Sequence, residues 1–235
     1  MKSLPAHTGL VAILSIFAAS VSASELSYTF MDFEYTQQSV AATGIQNPVP
    51  SQQVSIITDE GDGLSIGGSM SLRDRFYLGG SFESSIVDVN GVITNQLITE
   101  DVADNFDLIR TQVSLGYYHE LSQNFDIIFE LSYDSTDYDF GSFAGENFDM
   151  TDSGGGGGIG FRWNPSPAFE VFAFGRTNPV GKVNFDELIL EPDTLTTLGL
   201  RWYFFEDLGL GVQYEDGQVE TLTVTMRFSF GNLPW

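Results

Sequence analysis

Apolar and polar residues alternate with period two along most of the chain after residue 25, and this pattern restricts the fold more than any other feature. Successive side chains of a strand point to opposite faces, so period two means extended chain with one apolar and one polar face. The signal is cleanest near the C-terminus, where Leu222, Val224, Met226, Phe228 and Phe230 alternate with Thr221, Thr223, Thr225, Arg227 and Ser229. The hairpin dipeptide Asp216-Gly217 joins this segment to the one before it, in which Leu208, Leu210, Val212 and Tyr214 alternate with Gly209, Gly211, Gln213 and Glu215. Five further segments, around 64–72, 109–117, 125–133, 158–163 and 197–204, alternate in the same way. Three fit less well. One is 76–84. In 168–177, Phe172 and Phe174 share the phase of Glu170 and Arg176, and in 26–35, Tyr28 and Phe30 share the phase of Asp32 and Glu34. A bulge in 26–35 would restore its phase. The pattern predicts ten strands, or eight if the weak segments fail.

Composition removes several alternatives. With 9 Lys plus Arg against 32 Asp plus Glu, the chain has no basic face with which to neutralise nucleic-acid phosphates. Twenty Phe, nine Tyr and three Trp are too many for a disordered polyelectrolyte. The absence of Cys excludes disulfides, thiolate metal sites and a cysteine nucleophile. At the N-terminus, cationic Met1-Lys2, the apolar run Leu10 to Ala19 and the small residues Val21-Ser22-Ala23 predict an export signal over 1–23. The mature domain is then 24–235. No later stretch is apolar for the roughly 18 residues that a membrane-crossing helix needs.

The connections alternate as well. Short ones fall near Arg73-Asp74, 121–124, 164–167 and 205–207, and longer ones at 39–61, 88–105, 139–153 and 179–193, with Asp216-Gly217 completing the second set. An even strand number, with short turns at one end and longer loops at the other, is the arrangement of an up-and-down transmembrane barrel with both termini on the short-turn side. A soluble barrel would carry the same alternation with the apolar face inward. Two features favour the membrane. The polar face is mostly Gly, Ser and Thr, with a single Lys, Lys182, after residue 2. Aromatic residues (Phe76, Tyr117, Phe125, Trp163, Trp202, Phe204, Phe228 and Phe230) gather near the short turns or the C-terminus, as an interfacial girdle requires.

The closing strand Leu222 to Phe230, the export signal and the repeated Gly-rich strand followed by a short turn (Gly67-Gly68 with Gly79-Gly80, and Gly158 to Trp163 before Phe169) resemble the small outer-membrane β-barrels of Gram-negative bacteria. These are the OmpA-like, OmpX-like and opacity-like families. The resemblance covers nearly all of 24–235 and implies a monomeric all-β antiparallel barrel in the cell outer membrane, with both termini periplasmic. Its implied partners are membrane lipid, lipopolysaccharide and the barrel insertion machinery. Such barrels usually end on an aromatic strand residue; here Phe230 is followed by Gly231-Asn232-Leu233-Pro234-Trp235, so either Phe230 or Trp235 fills that position.

Catalysis finds little material. His7 leaves with the signal, and His119 falls beside a short turn, so no histidine is placed to activate a nucleophile or a water near external substrate. Two other sets of residues stand out. Arg110, Arg162, Arg176, Arg201 and Arg227 occupy inward positions together with Glu34, Glu83, Asp126, Glu130, Asp134 and Glu170. Such a lumen is either a salt-bridged plug or a narrow charged pore that prefers cations. Carboxylates also crowd the longer connections, and Asp137, Asp139, Glu146, Asp149 and Asp152 are the candidates for holding Ca²⁺ or Mg²⁺. The run Gly154 to Gly158 lacks the following helix and Lys of a phosphate cradle. The reading is a non-enzymatic barrel with a structural, adhesion or surface-interaction role, and a small channel as its alternative.

Overall fold

The computed structural model describes residues 27–40, 43–46, 52–72, 75–95, 99–143, 146–184 and 189–230. The expected export signal and the tail after Phe230 lie outside them. The described residues form eleven strands: β1 (Phe30–Val40), β2 (Thr43–Gln46), β3 (Gln52–Ser71), β4 (Phe76–Asn95), β5 (Thr99–Ser122), β6 (Phe125–Phe143), β7 (Glu146–Ser166), β8 (Phe169–Asn184), β9 (Ile189–Phe205), β10 (Leu208–Asp216) and β11 (Val219–Ser229). Each pairs antiparallel with its neighbours in the chain, except that β1 pairs with both β3 and β11. These two pairings close β1 and β3–β11 into a ten-stranded barrel, with β2 added to the far end of β3. Tight turns lie at one end of the barrel and the longer hairpins at the other. The two ends of the described chain meet at the tight-turn end, where the Phe230 amide donates to the Thr29 carbonyl at 2.8 Å.

The outer wall is apolar where it would meet hydrocarbon. On β4, Phe76, Leu78, Phe82 and Ile86 point outward and are about half exposed. Ten residues at about 3.3 Å each, tilted as such strands are, span the roughly 25 Å of an outer-membrane apolar band. Aromatic rings edge this band. At the turn end Phe76 packs on Tyr117 with ring centroids 5.2 Å apart, and Trp163, Phe205 and Phe230 are exposed nearby. At the hairpin end the outward residues are Tyr35, Tyr133 and Tyr214. Their phenols stay polar: Tyr35 donates to Asp62 at 2.5 Å, and Tyr133 lies 2.8 Å from the Ser153 hydroxyl.

Beyond that tyrosine rim the alternation inverts. Val87, next to outward Ile86, points inward, as do Phe106, Leu108, Tyr138, Val183 and Val219, which form one buried cluster packed against Met150 and Leu190. The residues between them, Asp88, Asp107, Asp137 and Asp139, face out. An apolar interior and a charged exterior are what a sheet needs once water replaces lipid outside it. This corrects two sequence expectations. The long connections at 88–105, 139–153 and 179–193 are mostly strand, forming a water-facing collar, because the ladder continues once its inner face can bury apolar residues. The same is true of 52–61 within the first connection. Nor is a bulge present in β1, whose register with β11 runs unbroken from Phe30↔Ser229 to Val40↔Val219. Tyr28 and Phe30 instead turn into the lumen.

One seam interrupts the collar. β7 and β8 pair only up to Gly157↔Thr177, and there the Thr177 hydroxyl bonds both the amide and the carbonyl of Gly157. Pro179 follows; it has no N–H to offer a ladder, and β8 changes register against β9 between Asn178 and Lys182. The upper β8–β9 hairpin therefore leans across the mouth of the barrel. Val183 joins a cluster with Val87 and Leu108, although three strands separate β8 from β4 around the ring.

Candidate functional site

The lumen is built in three layers. At the turn end, alternation places Glu170 (β8), Arg162 (β7), Arg201 (β9), Arg227 (β11) and Asp32 (β1) on adjacent inner walls, all of them buried. Arg162 donates to Glu170 at 2.6 Å, Arg201 donates to the other carboxylate oxygen, and the Tyr203 hydroxyl adds a bond of 3.1 Å. Arg227 forms a two-pronged pair with Asp32 at 2.7 and 2.5 Å and stands 3.9 Å from Glu170. One carboxylate at 1% exposure is thus ringed by three guanidiniums, and a fifth strand wall supplies Asp32. Charges removed from water are tolerable only when they are paired, and here every guanidinium of the cluster faces a carboxylate, although the Nε–H groups of Arg162 and Arg201 are left without a partner among the described residues.

Aromatic side chains finish the layer. Tyr28 stacks on Tyr118 with centroids 3.9 Å apart and on Tyr77 at 5.3 Å, under the Arg162 guanidinium at 4.6 Å. Tyr28 donates to Asp126 at 2.8 Å and Tyr77 to Glu130 at 3.1 Å. Inward glycines leave room for these rings. A Cβ on Gly116 would fall 1.9 Å from the Tyr77 ring, and one on Gly199 would fall 2.1 Å from that of Phe172.

The middle layer is a polar cavity of about 330 Å³. Arg110 crosses it, donating to Glu83 at 3.0 Å and, from β5 to β10, to Glu215 at 3.3 Å. Arg176 donates to Asp134 at 2.8 Å. Glu34 accepts from the Thr225 hydroxyl at 3.2 Å. The top layer is the apolar core of the collar. Gln218, in the β10–β11 hairpin, clamps the leaning β8: Val183 N–H donates to its side-chain carbonyl at 2.5 Å, and its amide donates to the Val183 carbonyl at 3.0 Å.

All eleven lumen residues singled out in the sequence lie on the inner wall, but they form two groups. Arg162, Arg201, Arg227 and Glu170 make the base, with Asp126 under Tyr28; Arg110, Arg176, Glu34, Glu83, Glu130 and Asp134 surround the cavity. Sequence reasoning left out Asp32, Glu215, Tyr28, Tyr77, Tyr203 and Gln218. Asp32 and Glu215 could have been found from their phase, since each alternates with lipid-facing neighbours; Gln218 sits in a turn, where no periodicity applies.

The acidic candidates for a cation are spread out rather than gathered. Asp137 accepts from Thr151 at 2.8 Å, Asp139 lies opposite Asp149, and Asp152 bonds the Ser153 amide at 2.7 Å. Asp152 pairs with inward-turned Thr136, so it shares neither face nor register with the other three. The Glu146 side chain lies outside the described residues. Among those described, no three carboxylates or histidines come together around a single metal position.

No protein-family model and no curated protein matches the chain. Solved structures do. The β-domain of the Bordetella autotransporter BrkA aligns at 11% identity and a TM-score of 0.47, over 87% of this chain and 100% of that one. Ail, the attachment invasion locus protein of Yersinia pestis, aligns at 14% and 0.41, over 86% and 97%. The NanC porin aligns at 10% and 0.43, over 85% and 98%. The chain's own architecture, a closed ten-stranded antiparallel barrel with an apolar outer band, is that of an outer-membrane β-barrel. At these identities and TM-scores none of the three says what this chain does.

Proposed function

We propose that this barrel is a closed, non-enzymatic anchor that presents its acidic collar at the cell surface for adhesion or surface interaction. The short turns and both chain ends face the periplasm in this reading, because outer-membrane barrels keep short turns there and project longer hairpins outward. The observation that carries it is the double closure of the lumen: the Glu170 guanidinium cluster at the base and the Val87–Leu108–Val183 core at the mouth. A barrel of about eight strands is just filled by its own side chains; with ten strands this one keeps a cavity of about 330 Å³ between the two closures. The collar then offers carboxylates such as Asp107, Asp137 and Asp139 to the medium, where divalent cations can bridge them to lipopolysaccharide phosphates. Planar-bilayer recording of the purified protein tests the reading. A silent barrel is expected, and steady ohmic openings would favour a cation-preferring channel instead.

A further inference from the structure

The cavity between the two closures has a charge imbalance that its own residues do not resolve. Seven carboxylates and five guanidiniums line it. Five of the carboxylates pair with arginine: Asp32, Glu83, Asp134, Glu170 and Glu215. Glu34 and Glu130 are the two left over, and among the described residues neither has an arginine within ion-pair distance. Each is held by neutral hydroxyls alone, Thr225 and Ser65 for Glu34 and Tyr77 and Ser114 for Glu130. They stand on β1 and β6, four strands apart around a ring of ten, and so on facing walls of one space.

A second observation also points to a missing occupant. The hydroxyls of Thr36 and Thr221 line the same cavity at 2% and 4% exposure, and among the described residues neither has a hydrogen-bond partner, nor do the Nε–H groups of Arg110, Arg162 and Arg201 in its wall. A buried hydroxyl without a partner loses roughly 1–3 kcal/mol of solvation, so native structures rarely keep one idle.

We infer that the cavity binds a small organic dication, a linear diamine, whose ammonium groups face Glu34 and Glu130 and whose remaining N–H groups reach the threonine hydroxyls. Two ammonium groups cancel the two surplus charges, and an alkyl spacer suits a chamber that also has the Phe172 and Phe174 rings in its wall. An anionic ligand would meet uncompensated carboxylates. A neutral one would leave both of them unpaired.

The test uses the full barrel refolded into detergent micelles in the presence of putrescine, so that the leaning hairpin presents no barrier to entry. After exhaustive dialysis, the diamine released on denaturation should rise with its concentration during refolding and saturate at about one per barrel, and barrel refolded with 1,4-butanediol, of similar shape but uncharged, should retain none. Each of Glu34→Gln and Glu130→Gln should weaken binding by about tenfold, the equivalent of about 1.4 kcal/mol, and the double variant should abolish it. Heat-modifiable gel migration verifies that each variant is folded. Absence of putrescine binding to the folded wild-type barrel would overturn the proposal, as would equal binding by the folded double variant.

Discussion

Glu170 bears the greatest electrostatic load of any single residue in the barrel. With its carboxylate gone, Arg162 and Arg201 lose their ion-pair partner in a space where water is scarce. Glu170→Ala should destabilise the barrel by roughly 3–5 kcal/mol, the usual effect of breaking a buried pair, read as a lower urea midpoint in lipid vesicles; an unchanged midpoint would show that the cluster is decorative. Gly116→Ala acts sterically. Its Cβ meets the Tyr77 ring, so the ring must move off Glu130, with a loss of about 1–3 kcal/mol as for other overpacked positions. The inward arginines were legible in the sequence because a guanidinium facing lipid is so unfavourable that phase alone assigns it. Tyr28, Phe30, Phe172 and Phe174 were harder to read. They share the phase of inward charges, but an aromatic residue is acceptable on either wall; for Phe172 and Phe174 the glycines opposite, Gly199 and Gly160, distant in sequence, leave the room their rings occupy inside.

The elements divide at the tyrosine rim. Strand positions within the apolar band could be read directly, whereas the collar looked like loop because acidic residues dominate its sequence. The signal was present in the inverted phase of Val87 beside Ile86 and of Leu108 beside Asp107, but an inversion reads as a break unless the solvent is known to change. Gln218 holds the leaning β8–β9 hairpin. Gln218→Ala leaves the Val183 amide and carbonyl without those bonds, and amide exchange in 178–193 should accelerate while the rates in the membrane band stay fixed. Tyr138 makes the collar sensitive to alkali. Burial, its largest influence, pushes the phenol up to about 12. An unfolded tyrosine ionises near 10, so folding favours the protonated form. The collar's stability is then complete below about pH 10 and falls as pH rises from about 10 to 12. Ultraviolet difference spectra of phenolate should show a late-titrating tyrosine that Tyr138→Phe removes.

At the scale of the whole molecule, the ten-strand count and the division between short and long connections were legible, because closure and parity constrain one another. The seam between β7 and β8 and the hairpin that leans through the mouth were not, since pairing partners are set by three-dimensional geometry rather than by period. If cations bridge the collar to lipopolysaccharide, EDTA should lower the melting temperature in outer-membrane vesicles and leave it unchanged in detergent. The most direct measurement concerns which wall meets lipid. The chain contains no cysteine, so single Leu131→Cys and Ser132→Cys variants can each carry one fluorophore, on neighbouring residues of β6 that point to opposite sides. Nitroxide-labelled lipids should quench the label at 131 strongly and the label at 132 weakly. Stronger quenching at 132 would mean the apolar wall faces inward, which contradicts the account.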